Sequence, residues 1–269
     1  VPPLIFNLVD SAPGEESLSY LTPGLLEHLG LLYTGCSLDS LFLTTHKLIA
    51  KQLMRNSGIP TPDWICRDDD PGNFPPFARQ WYLIKPASED ASIGITEESL
   101  LKAESYEAIF TALVQQQNKT AAPCFAERFI NGREFAACIY GKADQPIVLP
   151  PYEWVFKKYD EDQKPRIFCY SSKWDENSYG YENIQANFQT AAADFPLVQS
   201  LADLARKCWS LFRLSGYARV DFRIDDEGRP WVLEINGNPS FYGFNNVARS
   251  IDLPFGTIVK AIVSAAGKQ

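Results

Sequence analysis

Two short stretches of this chain, "YARVDFRI" and "WVLEIN", concentrate residues that could do chemistry. Alternation along an extended strand puts Arg219, Asp221 and Arg223 on one side of the first, with Val220, Phe222 and Ile224 on the other. In the second, Trp231, Leu233 and Ile235 should share the face opposite Val232, Glu234 and Asn236. The connecting "DDEG" predicts an antiparallel hairpin in which Asp221, Glu234 and Asn236 present oxygen ligands from neighbouring strands, with Arg219 alongside. Hard oxygen donors suit Mg2+, which keeps several waters and completes its shell with substrate phosphates. A cation site beside a fixed guanidinium is what phosphoryl transfer requires. A hairpin with one wetted face shows the same alternation, its charges merely solvated.

Lys85 adds weight to the chemical reading. It ends the apolar strand "WYLIKP", which stops at Pro86, and precedes "ASEDASIGI", whose Ser88, Ser92 and Gly94 could let backbone N–H groups close over phosphate oxygens. The loop lacks the Walker pattern and opens no helix, and no Gly-x-Gly-x-x-Gly follows a strand. With only His28 and His46 as histidines, a Ser/His/Asp or Cys/His set is missing.

Around these residues the pattern predicts an α/β chain. "PPLIFNLVD" reads as a short buried strand, and a helix opens near Thr22-Pro23 and closes at Gly30. A second helix is capped near Ser37 and runs to Gly58. The spacing of Leu100, Leu101, Tyr106, Ile109, Phe110 and Leu113 predicts an amphipathic helix from about 99 to 117. "PCFAERFI" and "REFAACIYG" read as strands of a hairpin turning at Asn131-Gly132. Residues 141–185 form a long, partly ordered excursion. Helices from about Phe195 to Leu214 and from Thr257 to Ala265 complete the reading.

Composition narrows the partners. The 269 residues carry 33 acidic and 25 basic side chains, a formal charge of -8, and Lys/Arg blocks are missing, so nucleic acid and anionic membrane surfaces are excluded as expected partners. Six scattered cysteines without Cys-x-x-Cys spacing fit reduced, buried thiols in a cytoplasmic protein. Small-molecule substrates are the expectation. The chain opens on Val rather than Met, as a fragment or trimmed product would.

In order, "YLIKPASEDASIGI", "FAERFINGREF", "SSKWDENSYGY" and "YARVDFRIDDEGRPWVLEINGNP" resemble the ATP-grasp superfamily, in its D-alanine-D-alanine ligase-like branch, over roughly residues 4–265. The resemblance implies an ATP-grasp fold of the α/β (α+β) class, with the nucleotide held between two antiparallel sheets. It also implies a truncated N-terminal α/β domain at 1–43, a central subdomain at 44–123 and a C-terminal subdomain at 124–269. Lys47 and Lys85 would touch ATP phosphates, with Ser92 in the covering loop. Glu127 and Phe129 would form the adenine hinge, and Glu134 would hold the ribose hydroxyls. Lys173 resembles the lysine of the loop over the phosphates. Asp221, Glu234 and Asn236 resemble the ligands of paired Mg2+ ions, with Mn2+ as the alternative, and Arg219 the cation at the reaction centre.

The implied reaction is ATP-dependent ligation of a carboxylate and an amine, amino acids or similar small substrates, through an acyl phosphate. Asn238, Ser240 and Asn245 stand where the ligases grip the second substrate, but "NPSFYGFNNVARS" departs from their glycine-rich turn and serines. The resemblance leaves room for a homodimer. The alternative is a nucleotide-binding ATP-grasp module with a regulatory or degenerate role.

Overall fold

The computed structural model describes residues 3–10, 16–88, 92–120 and 122–266. The chain opens with β1 (Leu4–Ile5), α1 (Leu21–His28), β2 (Leu32–Tyr33), α2 (Leu38–Thr45) and α3 (Lys47–Asn56). There follow β3 (Trp64–Cys66), β4 (Gln80–Pro86), β5 (Leu100–Ala103), α4 (Tyr106–Thr120) and β6 (Cys124–Arg128). The middle holds β7 (Arg133–Lys142), β8 (Gln145–Val148), β9 (Tyr152–Phe156), α5 (Ser171–Trp174), α6 (Tyr179–Asn183) and β10 (Ile184–Asn187). Last come α7 (Phe195–Leu211), β11 (Gly216–Ile224), β12 (Pro230–Asn236), α8 (Tyr242–Ser250) and α9 (Phe255–Ala265).

Two compact units share the chain. One is built from residues 1–61, 133–155 and 186–269, the other from 62–132 and 156–185. The first contains the central strands of a six-stranded sheet of order β10-β9-β7-β11-β12, with β8 also on β7. Its pairings β7/β9, β7/β11 and β11/β12 are antiparallel. Both faces are covered, which is why β7 is buried along nearly its whole length. Phe135, Ala137, Ile139, Val220 and Phe222 pack with Leu201, Ala205, Cys208 and Trp209 of α7 and with Ala50 and Met54 of α3. On the other face Ala136, Cys138, Tyr140, Tyr152 and Tyr217 pack with Phe244 and Val247 of α8 and Ile258 and Ile262 of α9.

The second unit holds an antiparallel sheet of order β3-β6-β4-β5. Here Ile65, Tyr82, Ile84 and Ala126 meet Ile109 and Leu113 of α4. The two antiparallel sheets and the mixed α/β content agree with the expected fold.

Several local expectations fail for identifiable reasons. The first strand is only two residues long, and Leu8 and Val9 are 63% and 55% exposed. The helix from Ser37 breaks at His46, whose φ/ψ of -83°/87° is not helical, so Lys47 begins a new helix. Ser37 does cap, its side chain accepting from the Ser40 N–H. Leu100 and Leu101 lie in β5, paired with β4, ahead of the helix that starts at Tyr106. The Asn131-Gly132 dipeptide closes no hairpin: β6 pairs with β3 and β4, and β7 with β8, β9 and β11. Helix α8, which the sequence pattern did not suggest, follows the polar end of β12 after a short turn.

Candidate functional site

In the first unit the hairpin β11/β12 forms as the alternation predicts, with one correction. Arg219 pairs with Asn236, Val220 with Ile235 and Asp221 with Glu234, but Phe222 pairs with Val232. Leu233 is therefore an extra residue in a β-bulge, and a bulge reverses the facing of everything beyond it. Val232 is fully buried beside Ile235 in the α7-side core rather than facing with Glu234. Trp231 instead stands opposite Arg223. The bulge leaves Arg219, Asp221, Glu234 and Asn236 together while the apolar phase shifts behind them.

Cross-strand rungs make this face explicit. Asp221 stands between Glu234 on β12 and Ala136 on β7, and Arg219 between Asn236 and Cys138. Small residues on β7 thus flank the two charged groups. Arg219 donates from Nε and Nη2 to both oxygens of Asp221, at 2.7 and 2.8 Å. Burial works against the Arg219 charge, but the adjacent Asp221 carboxylate, with Tyr152 and Glu234, outweighs it and holds the guanidinium above its ordinary pKa. Burial also pushes the Cys138 thiol up to about 12, so it stays a neutral wall. Lys47, at the start of α3, reaches Glu234 Oε2 at 3.4 Å.

Beyond β12 the turn is tied down by its own amides. Asn236 Oδ1 accepts from the Asn238 N–H at 2.8 Å, and Asn238 accepts from the Tyr217 hydroxyl at 2.9 Å. Ser240 is exposed, and Asn245 lies half-buried in the first turn of α8. Gly243 lets α8 sit close: a Cβ there would meet Cys138 Sγ at 2.8 Å and Tyr152 at 2.9 Å. Glu134, one rung along the same face, is engaged by Arg223 at 2.6 Å. Arg223 carried no assigned role in the sequence, although its parity with Arg219 and Asp221 already put it on this face.

In the second unit Lys85 and Glu127 meet on the sheet face away from α4. Lys85 donates to Glu127 Oε2 at 2.7 Å, with 7% and 4% of the two side chains exposed. The Lys85 ammonium also lies 5.3 Å from the centre of the Phe125 ring directly across the sheet, a favourable cation–π arrangement. Phe129 is half-buried and its N–H donates to the Trp81 carbonyl at 2.8 Å.

Of the serine-glycine loop, Glu89 to Ala91 lie outside the described residues. Ser92, at φ 64°, donates to the Phe168 carbonyl at 2.8 Å, and Lys173 of α5 lies 4.9 Å from the centre of the Phe168 ring. A second tie joins the Tyr170 N–H to the Ile95 carbonyl at 3.2 Å. Loop and α5 segment are thus laced together.

Two carboxylates and an amide oxygen on adjacent strands fit an oxygen-loving divalent cation, and each carboxylate already sits against a protein cation. Among the described residues no group of three or more His, Cys, Asp or Glu forms a metal cluster, so any cation here would rely on this mixed set. No helix among them is long and apolar enough to cross a membrane. All six cysteines are free thiols, five of them buried.

The family described as D-ala D-ala ligase C-terminus matches residues 53–264. The chain is 30% identical over 243 residues to uncharacterized protein y4sG of Sinorhizobium fredii, covering 88% of this chain and 65% of that protein. To the D-alanine–D-alanine ligase of Nitrosococcus oceani it is 29% identical over 249 residues, 90% of this chain and 71% of that protein. It therefore spans about two thirds of the length of these relatives. Its fold is similar to the D-alanine-D-alanine ligase of Coxiella burnetii, with a TM-score of 0.68 at 20% identity over 98% of this chain and 68% of that one. The ATP complex of the Bacillus anthracis ligase gives 0.65 at 21%, over 91% and 73%. By the extent of the family match, the chain belongs to the D-Ala-D-Ala ligase C-terminal domain family.

Proposed function

We propose that this chain is an ATP-dependent, ADP-forming carboxylate–amine ligase acting on amino acids or similar small substrates. ATP phosphorylates a carboxylate with release of ADP; the amine attacks the acyl phosphate, and phosphate leaves as the amide forms. The observation that supports this reading most is the rung of Asp221 and Glu234 with Arg219 and Asn236 beside it.

In this reading the residues act by positioning and charge. Arg219, held by both oxygens of Asp221, faces the charge developing on the acyl carbon's oxygen. Lys47, Lys85 and Ser92 take phosphate oxygens; Glu127 and Phe129 take the base, and Glu134 the sugar hydroxyls. Lys173 closes over the phosphates and keeps water from the acyl phosphate. Asp221, Glu234 and Asn236 would hold Mg2+, one or two ions, which when bound neutralises phosphate oxygens. Asn238, Ser240 and Asn245 face the amine substrate.

The test is incubation with ATP, Mg2+ and a panel of amino acids, following ADP release and amide formation by mass spectrometry. Release that requires both Mg2+ and an amino acid is expected. Failure to bind ATP at millimolar concentration by calorimetry would sink the reading.

A further inference from the structure

One rung of the six-stranded sheet carries charge that the reaction does not use directly. Across β9, β7, β11 and β12 it reads Trp154, Glu134, Arg223, Trp231. Glu134 and Arg223 are 2.6 Å apart, with only 12% and 5% of their side chains exposed. Both ends of the rung are held: Trp154 stacks on Tyr242 at 6.0 Å and 9°, and Trp231 donates to Asp225 at 2.9 Å. A buried ion pair is a weak source of stability, because desolvation offsets its attraction. Its position suggests another use. Two residues along β7 and β11, and three along β12 because of the bulge, stands the Asp221–Glu234 rung, roughly 7 Å away. That spacing separates the sugar of a nucleotide from its phosphates.

We infer that Arg223 is the positioning residue for Glu134, fixing the carboxylate so that it accepts the hydroxyls of a nucleotide sugar. The inference rests on the nucleotide reading above. A carboxylate offers about four acceptor sites, so the guanidinium bond and sugar bonds are compatible. The planar, permanently charged fork sets the plane of the carboxylate as a lysine would not.

The experiment measures affinities for ATP, 2′-deoxy-ATP and 3′-deoxy-ATP by calorimetry, in the presence of Mg2+, for the unaltered chain, Glu134→Gln, Arg223→Met, Arg223→Lys and the double variant Glu134→Gln/Arg223→Met. The unaltered chain should prefer ATP by roughly tenfold or more, the worth of a charged hydrogen bond. Glu134→Gln and Arg223→Met should each remove most of that preference, the double variant should lose no more than Glu134→Gln, and Arg223→Lys should fall between. A merely structural role would weaken all three nucleotides alike. If Glu134→Gln removes the preference while Arg223→Lys and any foldable Arg223→Met keep it in full, the positioning role is overturned and the sugar role of Glu134 stands. An unaltered chain that binds ATP without preference overturns both roles, and one that binds no nucleotide overturns the functional reading as well.

Discussion

The four-stranded sheet holds Lys85 and Glu127 at 2.7 Å, with 7% and 4% of their side chains exposed, whereas the hairpin side holds Lys47 and Glu234 at 3.4 Å, with 7% and 27% exposed. Both pairs join a lysine to a carboxylate on a face that also carries aromatic or small neighbours. They differ in how dry they are, and that sets what happens when one partner is lost. A charge left alone in a dry site costs several kcal/mol, while a partly wetted carboxylate can be rescued by water. The Asp221 carboxylate lies between these extremes, 14% exposed and held bidentate by Arg219.

The largest stability effect should therefore come from Lys85. Lys85→Met should lower unfolding free energy by about 3–5 kcal/mol in urea titration, and Lys85→Met/Glu127→Leu should recover most of it. On the role proposed for Lys85, nucleotide binding should be lost in both, because restoring stability does not restore a phosphate contact. A single variant as stable as the original chain would erase the contrast between the two regions.

At the hairpin the main effect moves from stability to turnover. Asp221→Asn and Glu234→Gln should each reduce Mg2+-dependent ADP release by roughly 100-fold or more, several kcal/mol being the charge stabilisation that the proposed cation site would supply. Their stabilities should differ, since Asp221→Asn strips the bidentate partner from Arg219 and Glu234→Gln leaves a more exposed site. Thermal unfolding with both variants side by side sharpens this; an Asp221→Asn protein no less stable than Glu234→Gln would contradict it.

Lys173→Ala should act on coupling. Its ammonium rests over the Phe168 ring, and Trp174 beside it is 62% exposed, a surface able to dock in the closure proposed above. Turnover should fall about tenfold, ATP affinity should change little, and the ratio of ATP hydrolysed to amide formed should rise.

The smallest effect is a pH dependence in the hairpin turn. Burial raises the Asp225 pKa, but Trp231 and the Arg229 and Glu227 groups donate to its carboxylate and bring it down to about 2. A carboxylate depressed below its unfolded value near 4 contributes stability that is complete above about pH 4 and lost as pH falls toward 2. Asp194 shifts in the same direction, through hydrogen bonds from Arg133. Asp225→Asn should cost about 1 kcal/mol near neutrality and flatten the decline between pH 4 and 2, read from melting temperatures across that range.

What the amino-acid order determined by itself is local geometry. Successive side chains on a strand point to opposite faces whatever surrounds them, so Arg219, Asp221 and Arg223 had to share a side, as did Glu234 and Asn236. Proline at 86 had to end β4 and Ser37 could cap a helix, for equally local reasons. Partner choice is different, because it depends on burial summed over distant segments. The Asn131-Gly132 signal lost to sheets that pair β6 with the earlier strands β3 and β4, and β7 with β8, β9 and the distant β11. An extra residue at Leu233 put Val232 with Ile235 in the core, which strict alternation could not anticipate. The break at His46 put Lys47 at the head of a helix within reach of Glu234, and the pairing of β7 with β11 set Glu134 against Arg223. Side-chain parity follows from backbone geometry within a few residues; which charge faces which was decided only by the packing of whole sheets.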